Sequence, residues 1–578
     1  MALREQFPTR GVLRRPKFRP IDLLVAAGLF TVLYTLLRLG LSVTHPFVPG
    51  HSQASISTDP SALPYYALRS LTRMFIALGV SLAFTFVYGT AAARSRRAEK
   101  VLIPLLDILQ SVPILGFLAI TVTFFLALFP HSILGLELAS IFVIFTSQAW
   151  NMTFSFYHSL VTQPRDLDEA ARLMRLTKWE RFWQLDVPSS MIGLVWNGMM
   201  SFGGGWFFLT ASEAITVNRR SYALPGIGSY VAAASARSQL GYVLLAIVVM
   251  IIMVLGVNFV FWRPLVAWSE RFRNEQSEAA EQPKSIMLDT LRRSRVPKLL
   301  ARPARPAAAF LDRITRPLGV ADRPLVANVA RRRAGDVVFG LFVALIVALG
   351  STRALGYIRD HVGLGEFAHA FGLGAITFGR VGVVVVVSTL IWVPVGVKIG
   401  MSPRLARYAQ PIVQVLASFP ANFMFPFFAA FLVATGLSLN WGGIVLMMLG
   451  AQWYILFNTI AGAISIPSDL REAMTNFEVT GRQRWRRLVI PGIFPAYVTG
   501  GITAAGGAWN ASIVAELVTY GHHVLVAKGL GSYIALSTAN GEFAKTLTGI
   551  VVMSIYVVGV NRLLWRRLFR LAETRYAL

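Results

Sequence analysis

The sequence predicts an all-α membrane protein in which about twelve transmembrane helices form two tandem repeats of six. Of its 578 residues, 55% are hydrophobic and only 14% are charged, a composition far from that of an average soluble domain. Apolar runs long enough to cross a bilayer alternate with basic segments. The second half also repeats the pattern of the first, which indicates an internal duplication.

The repeat keeps its register over both halves. At an offset of 307 residues, Arg73 corresponds to Arg380 and Pro113 to Pro420. The offset then falls to 303, which pairs Trp150 with Trp453, Trp206 with Trp509 and Glu213 with Glu516. Because each half has an even number of helices, both halves share one membrane orientation. We therefore expect a pseudo-two-fold axis along the membrane normal, with a pathway between the halves.

Six apolar segments of the first half are interpreted as helices. They span residues 21–43, 65–93, 101–129, 136–160, 191–217 and 240–262. Arginine and lysine cluster before the first segment and after the second, which predicts that the N-terminal tail (residues 1–20) and both termini are cytoplasmic. Pro104 and Pro113 interrupt the third segment, and neighbouring helices must satisfy the carbonyls freed by a proline in lipid. We expect this helix inside the bundle.

A change of composition divides the rest of the chain. Residues 21–270 and 334–578 are predicted to be the first and second transmembrane domains, and residues 271–333 a basic linker with fifteen basic and six acidic residues. We expect the linker in the cytoplasm. It would either hold a short amphipathic helix at residues 306–314 against anionic lipid headgroups or act as a solvated tether.

Composition and motifs exclude several function classes. Positive loops that set membrane orientation account for the net charge of +27, so we expect no nucleic-acid partner. The chain has no cysteine, and the pair His522 and His523 lacks a third ligand, so we expect no metal site. No Gly-x-x-x-x-Gly-Lys-[Ser/Thr] phosphate loop occurs, so the chain should hold no nucleotide cofactor and should not itself hydrolyse ATP.

Two polar segments lie between apolar runs: residues 166–188, here called the first elbow, and residues 469–491, the second elbow. Each contains two capping-box patterns, which are typical of helix N-termini. These are Asp166 with Glu169, Thr177 with Glu180, Asp469 with Glu472 and Thr480 with Gln483. They predict two short helices joined by a bend near residue 175 or 478. The small residues Ala170, Ala171 and Ala473 would let another surface approach closely.

The elbows resemble the cytoplasmic signature of permease subunits of ABC-type importers: Glu-Ala-Ala, three residues, Gly, nine residues, Ile, one residue, Leu-Pro. The matching positions are Glu169-Ala170-Ala171 with Leu185-x-Val187-Pro188, and Glu472-Ala473-Met474 with Leu488-x-Ile490-Pro491. The Trp206 to Glu213 and Trp509 to Glu516 segments, each followed by Gly-[Ile/Leu]-Gly, look like the nitrate, taurine, sulfonate and bicarbonate branch. The whole chain resembles a duplicated, fused permease of that branch. Arg175 and Glu478 replace the signature glycine, which leaves open the shape of the bend and the equivalence of the two docking sites.

The resemblance implies a type I importer permease in the bacterial inner membrane. Two copies of a cytoplasmic ATPase, which would carry the ATP and Mg, are expected to dock on the elbows. A periplasmic or lipid-anchored binding protein would deliver a small anion such as nitrate, a sulfonate or taurine, or bicarbonate. The residues assigned to ATPase coupling are Asp166, Glu169, Ala170, Ala171, Arg175, Thr177, Pro188, Asp469, Glu472, Ala473, Glu478, Thr480 and Pro491.

A second set of residues is assigned to the translocation pathway or its gate. These are Ser111, Pro113, Gly204, Trp206 and Glu213, with their counterparts Ser418, Pro420, Gly507, Trp509 and Glu516. Glycine permits close helix approach or local unwinding, a proline-broken helix could expose backbone amides, and an intramembrane carboxylate is a functional candidate. Because two carboxylates suit an anion poorly as ligands, Glu213 and Glu516 are expected to act as a gate or a brace. The structural alternative is pairing with Arg219, Arg220 or His522 at the outer surface.

Two other protein classes fit parts of the pattern. Twelve helices in two parallel halves with a basic linker are also the outline of a major-facilitator carrier, a secondary transporter. Such a carrier needs no duplicated, capped loop between its fourth and fifth helices. A membrane scaffold or enzyme is disfavoured because neither half contains a nucleophile and base, a metal cluster or a pair of catalytic carboxylates.

Overall fold

The computed structural model describes residues 56–111, 113–130, 132–217, 219–272, 286–294 and 329–575, with parts of 20–34 and 306–314. In this part of the chain the regular structure is helical apart from two short hairpins. The first half contains α1 Leu63–Arg94, α2 Arg96–Ser111, α3 Leu118–Leu128, α4 Leu134–Val161, α5 Arg165–Leu173, α6 Lys178–Arg181, α7 Val187–Glu213, β1 Ala214–Val217, β2 Arg220–Ala223, α8 Ile227–Ala236, α9 Leu240–Val257 and α10 Arg263–Ser269.

The second half repeats this order after one linker helix and one additional long helix. The linker helix is α11 Ile286–Arg293, and the long helix is α12 Val329–His361. The repeated elements are α13 Gly363–Gly400, α14 Pro403–Ser418, α15 Phe425–Thr435, α16 Leu439–Ser465, α17 Ser468–Asn476, α18 Gly481–Arg484, α19 Ile490–Ala515, β3 Leu517–Tyr520, β4 His523–Val526, α20 Leu530–Asn540, α21 Phe543–Val560 and α22 Arg566–Arg575. Because α13 to α22 follow the order of α1 to α10, the internal duplication extends from sequence to fold.

The helices are long and apolar, as lipid requires of any segment that must satisfy its own backbone groups. Seven helices of the described residues could cross a membrane, and one further pair, residues 412–418 and 421–435, passes the same test although it is bent by 81°. The chain is therefore a multi-pass membrane protein. The count of about twelve spans stays a prediction, and most of the first predicted helix (residues 21–43) lies outside the described residues, as do most of residues 306–314.

The third predicted helix of each half is broken, which confirms the predicted interruption of residues 101–129 at Pro113, whereas Pro104 lies inside α2 without ending it. Pro113 is the N-cap of a short 3-10 turn, Ile114–Phe117, that separates α2 from α3. Pro420 precedes the equivalent turn, Ala421–Met424, between α14 and α15. A proline has no N–H to donate and disfavours helical backbone at the residue before it, so the chain changes direction there.

The broken helices join the two halves through their hydrophobic cores. One core is built mainly from the second half, yet it includes Ile114, Leu118 and Val122 of the first half. The other core is built mainly from the first half, yet it includes Phe423 of the second half. Each half therefore inserts the turn that separates the two parts of its broken helix into the core of the other half.

The fifth long helix of each half connects two ends of the bundle that carry different features. Each elbow precedes α7 or α19, and we call this the elbow end. The antiparallel hairpins β1–β2 and β3–β4 follow the same helices, and we call this the hairpin end. The fifth helix was predicted to extend to residue 217, but α7 ends at Glu213 because Ala214–Val217 pairs with Arg220–Ala223.

Candidate functional site

The first elbow bends through a left-handed residue at the end of α5. The N–H of Leu176 donates to the carbonyl of Ala171 at 3.1 Å, and the N–H of Arg175 donates to the carbonyl of Arg172 at 2.9 Å. These two bonds form a Schellman motif, which ends a helix with a residue in the αL region. Arg175 is that residue, with φ of 51°.

The second elbow has the same geometry. Val479 donates to Met474 at 2.9 Å and Glu478 donates to Thr475 at 3.0 Å, and φ of Glu478 is 53°. Glycine normally supplies this conformation, because a Cβ atom in the αL region costs about 1–2 kcal/mol. The bend is therefore the same in both elbows although an arginine or a glutamate stands at the position of the signature glycine.

The first helix of each elbow begins differently from the prediction. Both α5 and α17 start directly after a proline, Pro164 or Pro467, and neither has a side-chain cap. Asp166 and Asp469 lie in the first turn instead, where a carboxylate is favoured by the positive end of the helix dipole. The predicted capping boxes at these two aspartates were wrong, because the preceding proline already fixes the helical start.

The second helix confirms the capping prediction in the first elbow only. The N–H of Glu180 donates to Thr177 Oγ1 at 3.1 Å, and the N–H of Thr177 donates to the Glu180 carboxylate at 2.8 Å. Thr480 is the N-cap of α18, but its side chain makes no capping bond. The next residue there is Gly481 with φ of 56°, so the backbone departs from that of the first elbow at this point.

The two elbows are supported by different contacts. Two carboxylates of the first elbow bind arginines, and the pairs are Asp168 with Arg172, Asp168 with Arg181, and Asp186 with Arg94 of α1. Partial burial alone would raise the pKa of Asp168, but hydrogen bonds to Arg181 and the charges of both arginines hold it below its ordinary value. In the second elbow Arg471 takes the place of Asp168 and donates to the carbonyls of Ala463 and Ile464 at 3.0 Å each. One elbow is held by ion pairs, the other by the end of α16.

Apolar side chains lie exposed beside each bend. Leu173 and Met174 are 86% and 73% exposed in the first elbow, and Phe477 is 80% exposed in the second. Glu169 and Glu472 of the signature are also exposed, whereas Ala171 is buried within its elbow. Exposed apolar groups clustered on a polar projection are typical of a surface that binds another protein.

Glu213 is fully buried at the hairpin end, where it joins three elements. Its carboxylate accepts hydrogen bonds from Ser70 Oγ at 2.5 Å, Arg73 Nη1 at 2.7 Å and the N–H of Gly228 at 2.7 Å. A Cβ atom at Gly226 would overlap this carboxylate. The first glycine of the Gly-x-Gly sequence after the first hairpin is therefore explained by the glutamate beneath it, and the second, Gly228, by close approach to the backbone of Thr210.

Glu516 repeats this arrangement in the second half. It accepts from Thr377 Oγ1 at 2.9 Å, Arg380 Nη1 at 2.7 Å and the N–H of Ser532 at 3.2 Å. Gly529 again leaves the room that the carboxylate needs. The alternative partners expected from sequence, Arg219, Arg220 and His522, were wrong, because the carboxylate of each half binds an arginine of that half's first repeated helix.

The remaining donors of the two arginines are satisfied differently. Arg73 donates to Glu137 through Nε at 2.6 Å and Nη2 at 2.8 Å, and Arg69 donates to the same carboxylate at 2.5 Å. Arg380 donates instead to the backbone oxygen of Asn440 at 3.2 Å and to its Oδ1 at 2.9 Å. We call these the first ion cluster (Arg69, Arg73, Glu137, Glu213) and the second ion cluster (Arg380, Asn440, Glu516).

A cavity of about 380 Å³ lies between the halves. It is lined by α2, α4 and α7 of the first half and by α16, α19, α21 and α22 of the second. Pro113, Gly507 and Trp509 of the predicted pathway set line it. Gly204, Trp206 and Ser418 line smaller voids. Pro420, Glu213 and Glu516 are buried and line none of these cavities, and the side chain of Ser111 lies outside the described residues.

Polar contacts between the halves were missed by sequence reasoning. The N–H of Ile114, in the turn after the first broken helix, donates to Asn510 Oδ1 of α19 at 2.8 Å. Asn422, in the equivalent turn of the second half, donates to Thr210 Oγ1 of α7 at 2.7 Å. The sequence did contain a signal for these contacts, because each asparagine stands where the other half has an apolar residue. Asn510 corresponds to Phe207, and Asn422 corresponds to Leu115.

Comparison with known proteins explains the duplicated architecture. Two segments of the chain, residues 76–266 and 392–575, each match the family described as binding-protein-dependent transport system inner membrane component. Together they make up more than half of the chain. The chain belongs to this family. It is an ABC-type permease with two family domains in one polypeptide.

The relatives of this permease come from several transport systems. It is 26% identical over 190 residues to a putative ABC transporter permease of Methanocaldococcus jannaschii, covering 32% of this chain and 64% of that protein. It is 25% identical over 190 residues to a nitrate import permease of Leptolyngbya laminosa, covering 33% of this chain and 64% of that protein. It is also 25% identical over 218 residues to a glycine betaine/proline betaine permease of Escherichia coli, covering 37% of this chain and 55% of that protein. Other relatives are named for aliphatic sulfonates and bicarbonate. The chain thus spans less than two thirds of the length of the first three relatives.

Proposed function

We propose that this chain supplies two fused permease domains of an ATP-driven importer and that its elbows dock two separate ATPase subunits at the cytoplasmic side. The observation that carries the proposal is the pair of elbows, which share one left-handed bend and expose Leu173, Met174 and Phe477 next to it. ATP and Mg would be held by the ATPases. Closure of the two ATPases would rock the halves about the turns that each inserts into the other.

The solute is proposed to be a small anion delivered by a binding protein. This rests on the family, which is described as binding-protein-dependent, and on relatives named for nitrate, sulfonates and bicarbonate. The elbow end would then be cytoplasmic, which fits the arginine-rich sequence of both elbows and the rule that basic residues flank the cytoplasmic ends of spans.

The double variant Glu169→Arg with Glu472→Arg tests the docking. Both glutamates are exposed, so the protein should still insert and fold, but reversed charge on both docking surfaces should abolish solute-dependent transport and ATPase stimulation. The measurement is transport and ATPase activity in proteoliposomes that contain this chain and an ABC-type ATPase subunit that co-purifies with it. A matched charge reversal away from the elbows, Asp360→Arg at the exposed end of α12, should have no effect.

Two results would contradict the proposal. Unchanged transport in the double variant would exclude the elbows as coupling sites. Solute uptake driven by an ion gradient in the absence of any ATPase would favour the secondary carrier instead.

A further inference from the structure

The repeat creates two equivalent clefts between the halves, but only one of them is open in the described structure. The cleft between α2 and α4 of the first half and α19 of the second contains the 380 Å³ cavity. The equivalent cleft, between α14 and α16 of the second half and α7 of the first, contains voids of about 20, 40 and 50 Å³. A difference of this size between duplicated regions indicates that the two clefts have diverged in function.

One substitution in the repeat accounts for much of the difference. Tyr454 of α16 is wedged between the two fifth helices: its hydroxyl lies 3.3 Å from the position a Cβ would take at Gly204, and its ring 3.3 Å from that position at Gly507. The counterpart of Tyr454 in the first half is Asn151, which is exposed to the cavity. The tyrosine fills its own cleft and also borders the open cavity, whereas the shorter asparagine leaves the open cleft unfilled.

The open cleft also carries three side-chain amides whose counterparts in the repeat are not amides. Gln110 Nε2 donates to Asn151 Oδ1 at 3.2 Å, and no other bond within the described residues occupies the amide nitrogen of Asn151 or the carbonyl oxygen of Gln110, so both can bind a ligand. Asn510 of the opposite half lines the same cavity; its Oδ1 accepts from the N–H of Ile114 at 2.8 Å and its Nδ2 donates to the carbonyl of Gly506 at 3.1 Å. The counterparts of these three residues are Ala417, Tyr454 and Phe207. All three amides line the 380 Å³ cavity, and Asn510 also borders a void of about 40 Å³ in the other cleft.

The charges and rings around the amides define the ligand. Among the described residues that line the cavity, the charged ones are Asp107 and Arg566, which pair with each other at 3.2 Å and are partly exposed at the rim. Trp150, Trp509 and Phe208 form much of the wall. A bare inorganic anion would lose its hydration here without gaining a charged partner, which is costly. A solute with an apolar body can cover the rings while its polar head binds the amides.

We propose that the permease binds its solute at one off-axis site in this cavity, and that the site takes an organic solute with an apolar body and an oxygen-bearing polar head in preference to a bare inorganic anion. The proposal rests on the transport function proposed above and narrows its solute. Fusion of the halves makes such a site possible, because a dimer of identical permeases would present two equal clefts.

Single cysteines test the asymmetry without any ATPase. The natural chain contains no cysteine, so Gln110→Cys and its counterpart Ala417→Cys each report on one cleft of the permease alone in lipid nanodiscs. A charged methanethiosulfonate should modify Gln110→Cys about tenfold faster or more, because the voids of about 40 and 50 Å³ beside Ala417 have room for water but not for the reagent. Adding Tyr454→Asn should raise the rate for Ala417→Cys. Equal rates for the two cysteines would overturn the single-site proposal.

Protection by solutes tests the ligand class in the same variant. We expect 1-propanesulfonate to slow modification of Gln110→Cys severalfold, whereas nitrate at the same concentration and ionic strength should not. Asp360→Cys at the exposed end of α12 controls for effects on the reagent, and its rate should not change. Protection by nitrate that equals or exceeds that by propanesulfonate, or no protection by either, would overturn the ligand assignment. Because no ATPase is present, these results are independent of whether the elbows dock one.

Discussion

The two buried ion clusters perform the same task with different residues. Arg73 with Glu213 in the first half and Arg380 with Glu516 in the second tie the first repeated helix to the hairpin end of the fifth. Around this common pair the first cluster adds the charges of Arg69 and Glu137. Their counterparts in the repeat are Ile376 and Asn440. The halves therefore differ by one positive and one negative charge together, so each cluster stays neutral.

The comparison shows which parts of the duplicated structure were free to change. Taking two charges out of water is so costly that a buried cluster survives only if its charges balance, and loss of one partner leaves an uncompensated charge. The arginine and glutamate that join helix to hairpin are present in both halves. The residues lining the clefts near Asn151 and Tyr454, which carry no such constraint, have diverged.

Replacing the arginine that binds the glutamate of each cluster, Arg73 or Arg380, should lower the stability of the protein most. The loss should differ between the halves. Arg73→Met would leave Glu213 and Glu137 with only Arg69 between them, whereas Arg380→Met leaves the single carboxylate Glu516. Removing one partner of a buried pair costs about 3–5 kcal/mol, and we expect Arg73→Met at or above the top of that range. Thermal unfolding in detergent, followed by tryptophan fluorescence, measures both variants.

A matched control separates charge from packing in this comparison. Adding Glu516→Gln to Arg380→Met removes the unpaired charge and should recover most of the lost stability. Equal destabilisation by Arg73→Met and Arg380→Met would show that the additional charges of the first cluster are irrelevant.

The second prediction converts the first cluster into the second. Arg69→Ile and Glu137→Asn introduce the residues that the other half has at those positions. Each alone unbalances a buried cluster and should destabilise the protein by about 3 kcal/mol, while the double variant should lie within about 1 kcal/mol of the natural protein. A double-mutant cycle of melting temperatures measures the coupling. Additive effects would contradict the interpretation that the two positions changed as a balanced pair.

The sequence predicted the features that depend on pattern and failed where distant residues meet. The duplication and the two elbows could be predicted, because register and spacing are visible in one dimension. The partner of Glu213 was sought among nearby residues, yet Arg73 lies 140 positions away. A signal existed, because an arginine inside an apolar helix recurs at position 380, and such a charge needs a buried partner.

The cavity could not be predicted for a different physical reason. Its shape depends on whether a side chain fills the space between two fifth helices, and this requires knowing that Tyr454 packs against both Gly204 and Gly507. The elbow helices show a smaller error of the same kind. Asp166 and Asp469 fit the capping pattern, but the proline two residues earlier determined where each helix begins.

The smallest predicted effect concerns a feature in which the halves agree, the left-handed bend of the elbows. Arg175→Gly and Glu478→Gly should each stabilise the bend by about 0.5–1 kcal/mol, because glycine avoids the αL penalty but loses more backbone entropy on folding. Arg175→Ala and Glu478→Ala keep a Cβ atom and should bring no gain. Hydrogen exchange at the amides of Leu176 and Val479, which close the two Schellman motifs, measures the local effect. Since φ is nearly the same in both elbows, the two glycine variants should gain equal stability. A gain in only one elbow would show that the bend is determined by the surrounding contacts, which are ion pairs in the first elbow and backbone carbonyls in the second.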